Sequence, residues 1–239
     1  MDGTSSHADL LIDAALSLAV ERGWRTLTLP EVADAAGVSL ADAHATFSTK
    51  TALLNAFMAR IDRQMLSGEA PDMSESVRDR LFDVIMRRFD ALEPHKDAVA
   101  AIVEDLPADP VAALAVLPAF GNTMAWILEM AGLSASGLSG ALRIKGLAVV
   151  YLTTLRTWLE DDTTDAARTM ATLDRALRRA EMVIRALPRL PGHRSRDREA
   201  RWMPEEAYSG ESSTAEIPAG GVPIGEGPSG GVPGAGAGG

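Results

Sequence analysis

The stretch from Thr26 to Leu54, TLTLPEVADAAGVSLADAHATFSTKTALL, constrains the fold more than any other part of the chain. It holds three helix starts within twenty-nine residues. Thr28 is followed three residues later by Glu31, and Ser39 three residues later by Asp42. Each pair predicts a capping box, in which the hydroxyl takes the N3 amide and the carboxylate reaches back to the cap amide. Pro30 suits a first helical turn, where its missing N–H does little harm. Ser48 is placed to cap a third helix beginning at Lys50. Between the first two helices, Ala36-Gly37-Val38-Ser39 puts a glycine where a left-handed residue ends a helix, with Val38 filling the corner. Two short helices joined by such a turn predict a helix-turn-helix, a motif that reads DNA.

Around this stretch the pattern is helical throughout, with no strand periodicity. Residues 8–22 place Leu11, Ala14, Ala15, Leu18 and Ala19 on one face, and Gly23 ends that helix. Trp24 should pack on the head. Residues 49–66 predict a connecting helix with Leu53, Leu54, Phe57, Ile61 and Met65 inward. From Ser74 onward, helices are expected over about 77–92, 95–105, 111–131, 141–160 and 164–187. Pro118 should kink or split the segment 111–131. The segment 141–160 reads as a buried helix, with Leu142, Val149 and Leu152 among its core residues, and the last helix should turn Met170, Leu173, Leu177, Met182 and Ile184 inward. About nine helices result, an all-α chain with a three-helix head and a helical body.

Domain boundaries are expected at 1–67 for the head, 68–188 for the body and 189–239 for a tail. The tail is rich in Gly, Pro, Ser and Ala, and such a composition cannot bury enough apolar surface to offset its ordering entropy. It therefore reads as disordered. Its Arg194, Arg196, Arg198 and Arg201 could instead meet nucleic acid or a partner, against the interleaved Asp197 and Glu199.

Composition excludes several functions. There is no cysteine, so thiol catalysis, disulfides and Cys-ligated zinc are ruled out. His7, His44, His95 and His193 are scattered without ligand spacing, so no metal site is expected. No Gly-rich phosphate loop or G-x-S-x-G occurs, and neither an enzyme nor a cofactor is expected. Asp161 and Asp162 sit at a helix junction, where solvated caps are expected. The acidic N-terminus carries no signal-peptide charge pattern, and no run approaches the roughly 18 unbroken apolar residues of a membrane span, so a cytoplasmic protein is expected. Net charge is −10, and residues 1–68 hold five basic against eight acidic residues. That argues against general nucleic-acid affinity but not against a local basic face.

The residues of the opening stretch carry a family resemblance. Gly23, Thr26-Leu27-Thr28, Val32-Ala33, Ala36-Gly37-Val38-Ser39, Phe47, Lys50 and Leu53-Leu54 together resemble the TetR (tetracycline-repressor-like) family of bacterial regulators. The resemblance covers roughly residues 8–66. It implies a homodimer whose last two long helices pair across a two-fold axis. It also implies a double-stranded DNA operator as partner, and a body that senses a small apolar ligand. The DNA-facing set it implies is Thr28, Ser39, Leu40, Ala41, Asp42, His44, Ala45, Thr46, Phe47, Ser48 and Lys50. The family usually has an aromatic residue at His44, often a basic or polar one at Ala45, and often His at Thr46.

Read from chemistry alone, Asp42 is either a cytosine reader or a cap partner. His44 either contacts DNA or is buried against the head. Thr28, Ser39, Thr46, Ser48 and Lys50 either grip phosphate or serve only as caps.

A second resemblance lies in residues 141–181, carried by Trp158, Asp161, Asp162, Thr169, Leu173-Asp174 and Leu177. It is to the accessory lipid-binding proteins of ubiquinone biosynthesis, which share the TetR-like fold. It implies an isoprenoid-binding body, no DNA reading and peripheral membrane contact. In either reading Phe120, Met124, Trp126, Met130, Tyr151 and Trp158 are the candidate walls of an apolar ligand site, since Met adapts its shape and aromatic faces suit apolar guests. Ordinary core is the alternative for each. A third reading is a helical interaction module without a ligand.

Overall fold

The computed structural model describes residues 3–186. Within them lie nine α-helices and two 3₁₀ turns, and no strand. The helices are α1 (Gly3–Arg22), α2 (Leu29–Ala36), α3 (Leu40–Thr46), α4 (Lys50–Leu66) and α5 (Val77–Leu92), followed by α6 (Lys96–Asp105), α7 (Pro110–Met130), α8 (Gly137–Leu159) and α9 (Ala167–Ala186). The architecture is all-α, with a helix-turn-helix head and a helical body, as expected. The tail 189–239 and its arginines lie outside the described residues.

In the head, Leu11, Ala15 and Leu18 of α1 meet Val32, Ala33, Val38, Ala43 and Phe47. Trp24 is buried with them. The helix α4 carries Leu53, Leu54, Phe57, Ile61 and Met65 inward, all buried, and so runs from the head into the body core. There it packs against α5 and α7. The body core gathers Val84, Ile85, Phe89, Met124, Ile127, Trp158 and Leu173. Head and body also meet directly, because α1 packs on α6 and the Arg25 N–H donates to Asp105 Oδ2 at 2.8 Å.

Several expectations are corrected. Thr49, not Ser48, caps α4: its backbone is extended and its hydroxyl accepts from Ala52 N–H. Of the two outcomes expected of Pro118, a kink or a split, the split does not occur, since Pro118 lies inside a single helix α7. It stands on the solvent face, where the carbonyl its ring leaves without a helical donor can take water. The helix α8 starts at Gly137, earlier than expected, and α9 starts later, at Ala167. On α9, Leu173 and Leu177 are buried, but Met182 is exposed.

Nor is α8 buried on all sides, since Leu142, Val149 and Leu152 face outward. Leu114, Leu117 and Trp126 of α7 do the same. Both helices are long and apolar enough to cross a membrane by length and composition, yet only 28% and 33% of their apolar windows are buried. Periodicity cannot distinguish a helix buried by its own chain from one with an apolar outer face.

Asp161 is corrected too. It is 3% exposed, not solvated. Its carboxylate accepts from the backbone N–H and hydroxyl of both Thr163 and Thr169. Burial alone would raise its pKa, but these four donors more than offset that and hold the carboxyl well below the usual range. Asp162 remains exposed. The junction between α8 and α9 is thus tied to one buried anion. Just before α9, Ala166 takes a left-handed backbone with φ of 50°.

Candidate nucleic-acid interface

The turn between α2 and α3 follows from its glycine. Gly37 has φ 65° and ψ 26°, a left-handed conformation that only glycine adopts freely. The Val38 N–H reaches the Ala33 carbonyl at 3.0 Å, closing a Schellman motif, and the Val38 side chain is buried in the corner. At the start of α2, the Thr28 N–H and hydroxyl both donate to Glu31 Oε2, at 2.9 and 2.7 Å. Those bonds hold the Glu31 carboxyl below the usual range. Glu31 also pairs with Arg22 at 3.2 Å.

At the start of α3, the box is half formed. The Ser39 hydroxyl accepts from the Asp42 N–H at 3.1 Å and donates to Asp42 Oδ2 at 2.6 Å. The carboxylate thus takes the hydroxyl, not the cap amide. The Thr46 hydroxyl donates back to the Asp42 carbonyl at 2.7 Å.

The expected DNA-facing residues separate into three groups. Leu40, Ala41, Asp42, His44, Ala45 and Ser48 are exposed on or beside α3, and Thr28 and Ser39 are exposed at the caps. Of the two alternatives for His44, the solvent face is the one observed. Phe47 is buried in the head core. It seats α3 rather than facing outward, because its backbone leaves the helix in an extended conformation. Lys50 and Thr46 are half-buried.

Lys50 is the most altered by its tertiary surroundings. Its ammonium donates to the Trp24 and Arg25 carbonyls at 3.0 and 3.1 Å and lies 5.6 Å from the Trp24 ring centroid. Burial pushes the ammonium below the usual lysine range, while Asp109 and Asp105 act against that shift. Lys50 therefore ties the start of α4 to the turn that joins α1 and α2. Its donors are directed inward. The same turn is held from the body by Asp105, a contact no local sequence signal could reveal. The exposed face of α3 carries no Lys or Arg, while Arg25 is exposed at the neighbouring turn.

The six candidate ligand residues do not form one wall. Met124, Tyr151 and Trp158 are buried, Phe120 and Met130 half-buried, and Trp126 is 49% exposed. Tyr151 stacks on Phe89 at 5.2 Å and meets Phe120 edge-on at 5.7 Å, while Trp158 lies against Phe89 at 5.4 Å. The Trp158 Nε1–H donates to Glu93 Oε2 at 2.9 Å.

Beneath this layer lies a buried polar cluster. Arg88 donates to the Tyr151 hydroxyl at 3.1 Å and pairs with Asp62 of α4. The Thr123 hydroxyl donates to the other Asp62 oxygen at 2.7 Å. Two surface hollows, of ≈ 530 and ≈ 510 Å³, lie elsewhere: one beside Thr157, Arg168 and Arg175, the other beside Glu69, Asp79 and Arg87.

A helix-turn-helix head whose exit helix enters an all-helical body is the architecture of this chain's described residues. Residues 11–57 match the family model "Bacterial regulatory proteins, tetR family". The head therefore belongs to the tetR family, and the described chain as a whole has the TetR fold. A TetR transcriptional regulator from Nitrosomonas europaea superposes with TM-score 0.59 and 23% identity, covering 73% of this chain and 98% of that one. One from Rhodococcus sp. RHA1 gives TM-score 0.52 and 21% identity over 77% and 99% of the two chains. A tetR-family regulator from Streptomyces coelicolor gives TM-score 0.51 and 20% identity over 76% and 81%. No curated protein matches the chain.

Proposed function

We propose that this protein is a transcriptional regulator that binds a double-stranded DNA operator through α2 and α3, acts in the cytoplasm as a homodimer and responds to a small apolar ligand. The observation that carries this reading is the intact motif. Gly37 sets the angle between α2 and α3, and buried Val38, Ala43 and Phe47 seat α3 so that Leu40, Ala41, His44 and Ala45 face outward. The exposed Ser48 hydroxyl at its margin suits phosphate contact.

Dimerisation is supported by the outer face of α8. Leu142, Val149 and Leu152 recur at helical spacing and are exposed. An apolar outer face of this kind marks an interaction site, and a two-fold pair would bury it. Two heads would then reach successive major grooves about 34–36 Å apart. For the ligand, the class that suits the Phe120–Tyr151 layer is an apolar molecule with one hydrogen-bonding group for the Arg88 cluster. Its entry would part packed rings close to α4, the helix that carries Asp62 into the body, and so would bias head position.

The residues behind the lipid-carrier resemblance have roles in packing: Trp158, Leu173 and Leu177 are core, and Asp161 with Thr169 forms the α8–α9 junction. The full-length chain should recover discrete genomic fragments at low salt, protecting two half-sites one helical turn apart. Uniform recovery of all fragments, or none, would reject the reading.

A further inference from the structure

Five side chains of α3 are exposed, those of Leu40, Ala41, Asp42, His44 and Ala45. Leu40, Ala41, His44 and Ala45 occupy positions i, i+1, i+4 and i+5, which share one side of a helix. All four are exposed, Leu40 to 57%. The other polar groups of the helix have partners of their own. The Asp42 carboxylate takes the Ser39 hydroxyl, and the Thr46 hydroxyl is committed to the Asp42 carbonyl. Nearby, the Lys50 ammonium is committed to the Trp24 and Arg25 carbonyls. The side of α3 that Leu40, Ala41, His44 and Ala45 share is therefore three apolar side chains around one imidazole, with the Ser39-bound Asp42 carboxylate at its edge.

In the major groove, the thymine C5-methyl is the apolar group that a base pair presents, whereas guanine, adenine and cytosine edges present donors and acceptors. Leucine and alanine gain by covering a methyl group. Set against a guanine or cytosine edge, they desolvate polar groups and return no hydrogen bond, which weakens binding about 5- to 150-fold per stranded group. The same three side chains thus favour one base and disfavour others.

Resting on the DNA-reading role above, we propose that this protein recognises thymine methyl groups in its operator, with Leu40, Ala41 and Ala45 as the specificity-determining side chains and His44 as the polar base contact. The partner it fits is a duplex with thymines clustered under each α3. This role also accounts for a large aliphatic residue, Leu40, held in solvent at the first position of the reading helix.

The test uses uracil, which pairs as thymine does but lacks the methyl. Full-length protein selects from a library of random 20-bp duplexes, and the recovered pool is then copied with dUTP in place of dTTP. Covering one methyl is worth about 0.8 kcal/mol, or roughly fourfold in affinity, so two or three contacts should make the uracil pool about 15- to 60-fold weaker. The slope of affinity against salt should be the same for both pools, because phosphate contacts are untouched. Leu40→Ala should still select DNA but show a smaller thymine-to-uracil ratio than wild type.

Equal binding of the two pools would overturn the methyl-reading proposal while leaving DNA binding intact. So would a full thymine-to-uracil ratio retained in Leu40→Ala, since the effect would then arise from DNA shape. Failure of the wild type to enrich any sequence would overturn the DNA-reading role itself, and this proposal with it.

Discussion

Lys50 provides the sharpest separation between a DNA contact and an internal brace. In Lys50→Met the unbranched stem survives and the ammonium is lost. Two carbonyl bonds, at 3.0 and 3.1 Å, and the contact with the Trp24 ring disappear. The Arg25 carbonyl is exposed and regains a water partner, whereas the Trp24 carbonyl is partly buried and is satisfied less well. Losing a charged donor from such a carbonyl costs about 1.5 kcal/mol, and the ring contact adds about 0.5–1 kcal/mol. Releasing the ammonium from its unfavourable burial offsets some of this. A net loss of about 2 kcal/mol is expected. Urea denaturation measures it directly, as a lower midpoint at an unchanged slope. DNA affinity should fall as well, equally for all sequences, because a loosened turn shifts the head as a unit. If stability stayed within about 0.5 kcal/mol of wild type while DNA affinity fell and its salt slope dropped by about one, the ammonium would sit on phosphate instead.

Three further outcomes follow from the body. Asp161→Asn should destabilise by about 3 kcal/mol at neutral pH, because the amide leaves two of the four donors facing its NH₂ group. The Asp161 pKa is lowered on folding, so its contribution is fully present above the ordinary carboxylate range and fades as pH falls through the lower, folded value. The gap between wild type and Asp161→Asn in acid-denaturation curves should therefore begin to narrow as pH falls below the ordinary carboxylate range and go on narrowing into strong acid, and a gap unchanged there would contradict the assignment. Ala166→Gly should stabilise, by about 0.5–1 kcal/mol in thermal unfolding, because φ of 50° strains an alanine and not a glycine. Pro118→Ala should also stabilise, by roughly 1–3 kcal/mol, since α7 is continuous through an exposed proline; a loss in calorimetry would mean that the ring itself is needed.

The helical fold was legible because its signals are local. Thr28 with Glu31, Ser39 with Asp42, and Gly37 with Val38 act over three or four residues, a range that sequence spacing encodes directly. Each forms a structured element where expected, even though the Asp42 carboxylate takes the hydroxyl in place of the amide. The choice between Ser48 and Thr49 as cap was less legible, because both are small hydroxyl residues one position apart. The outer apolar face of α8 was misread as core for a related reason: an aliphatic stripe looks the same whether its cover is the same chain or another.

The candidate interface divides along the same line. That Leu40, Ala41, His44 and Ala45 lie together follows from helical period, which the amino-acid order determines, but that Phe47 faces the core and not outward was decided by the packing of the head. What became of Lys50 was decided only in three dimensions. Its partners are backbone carbonyls of residues 24 and 25, brought beside the start of α4 by the packing of α1, and backbone atoms carry no signature in side-chain order. Asp161 was decided in the same way: its role depends on α9 turning back along α8, which places Thr169 over a carboxylate eight residues earlier.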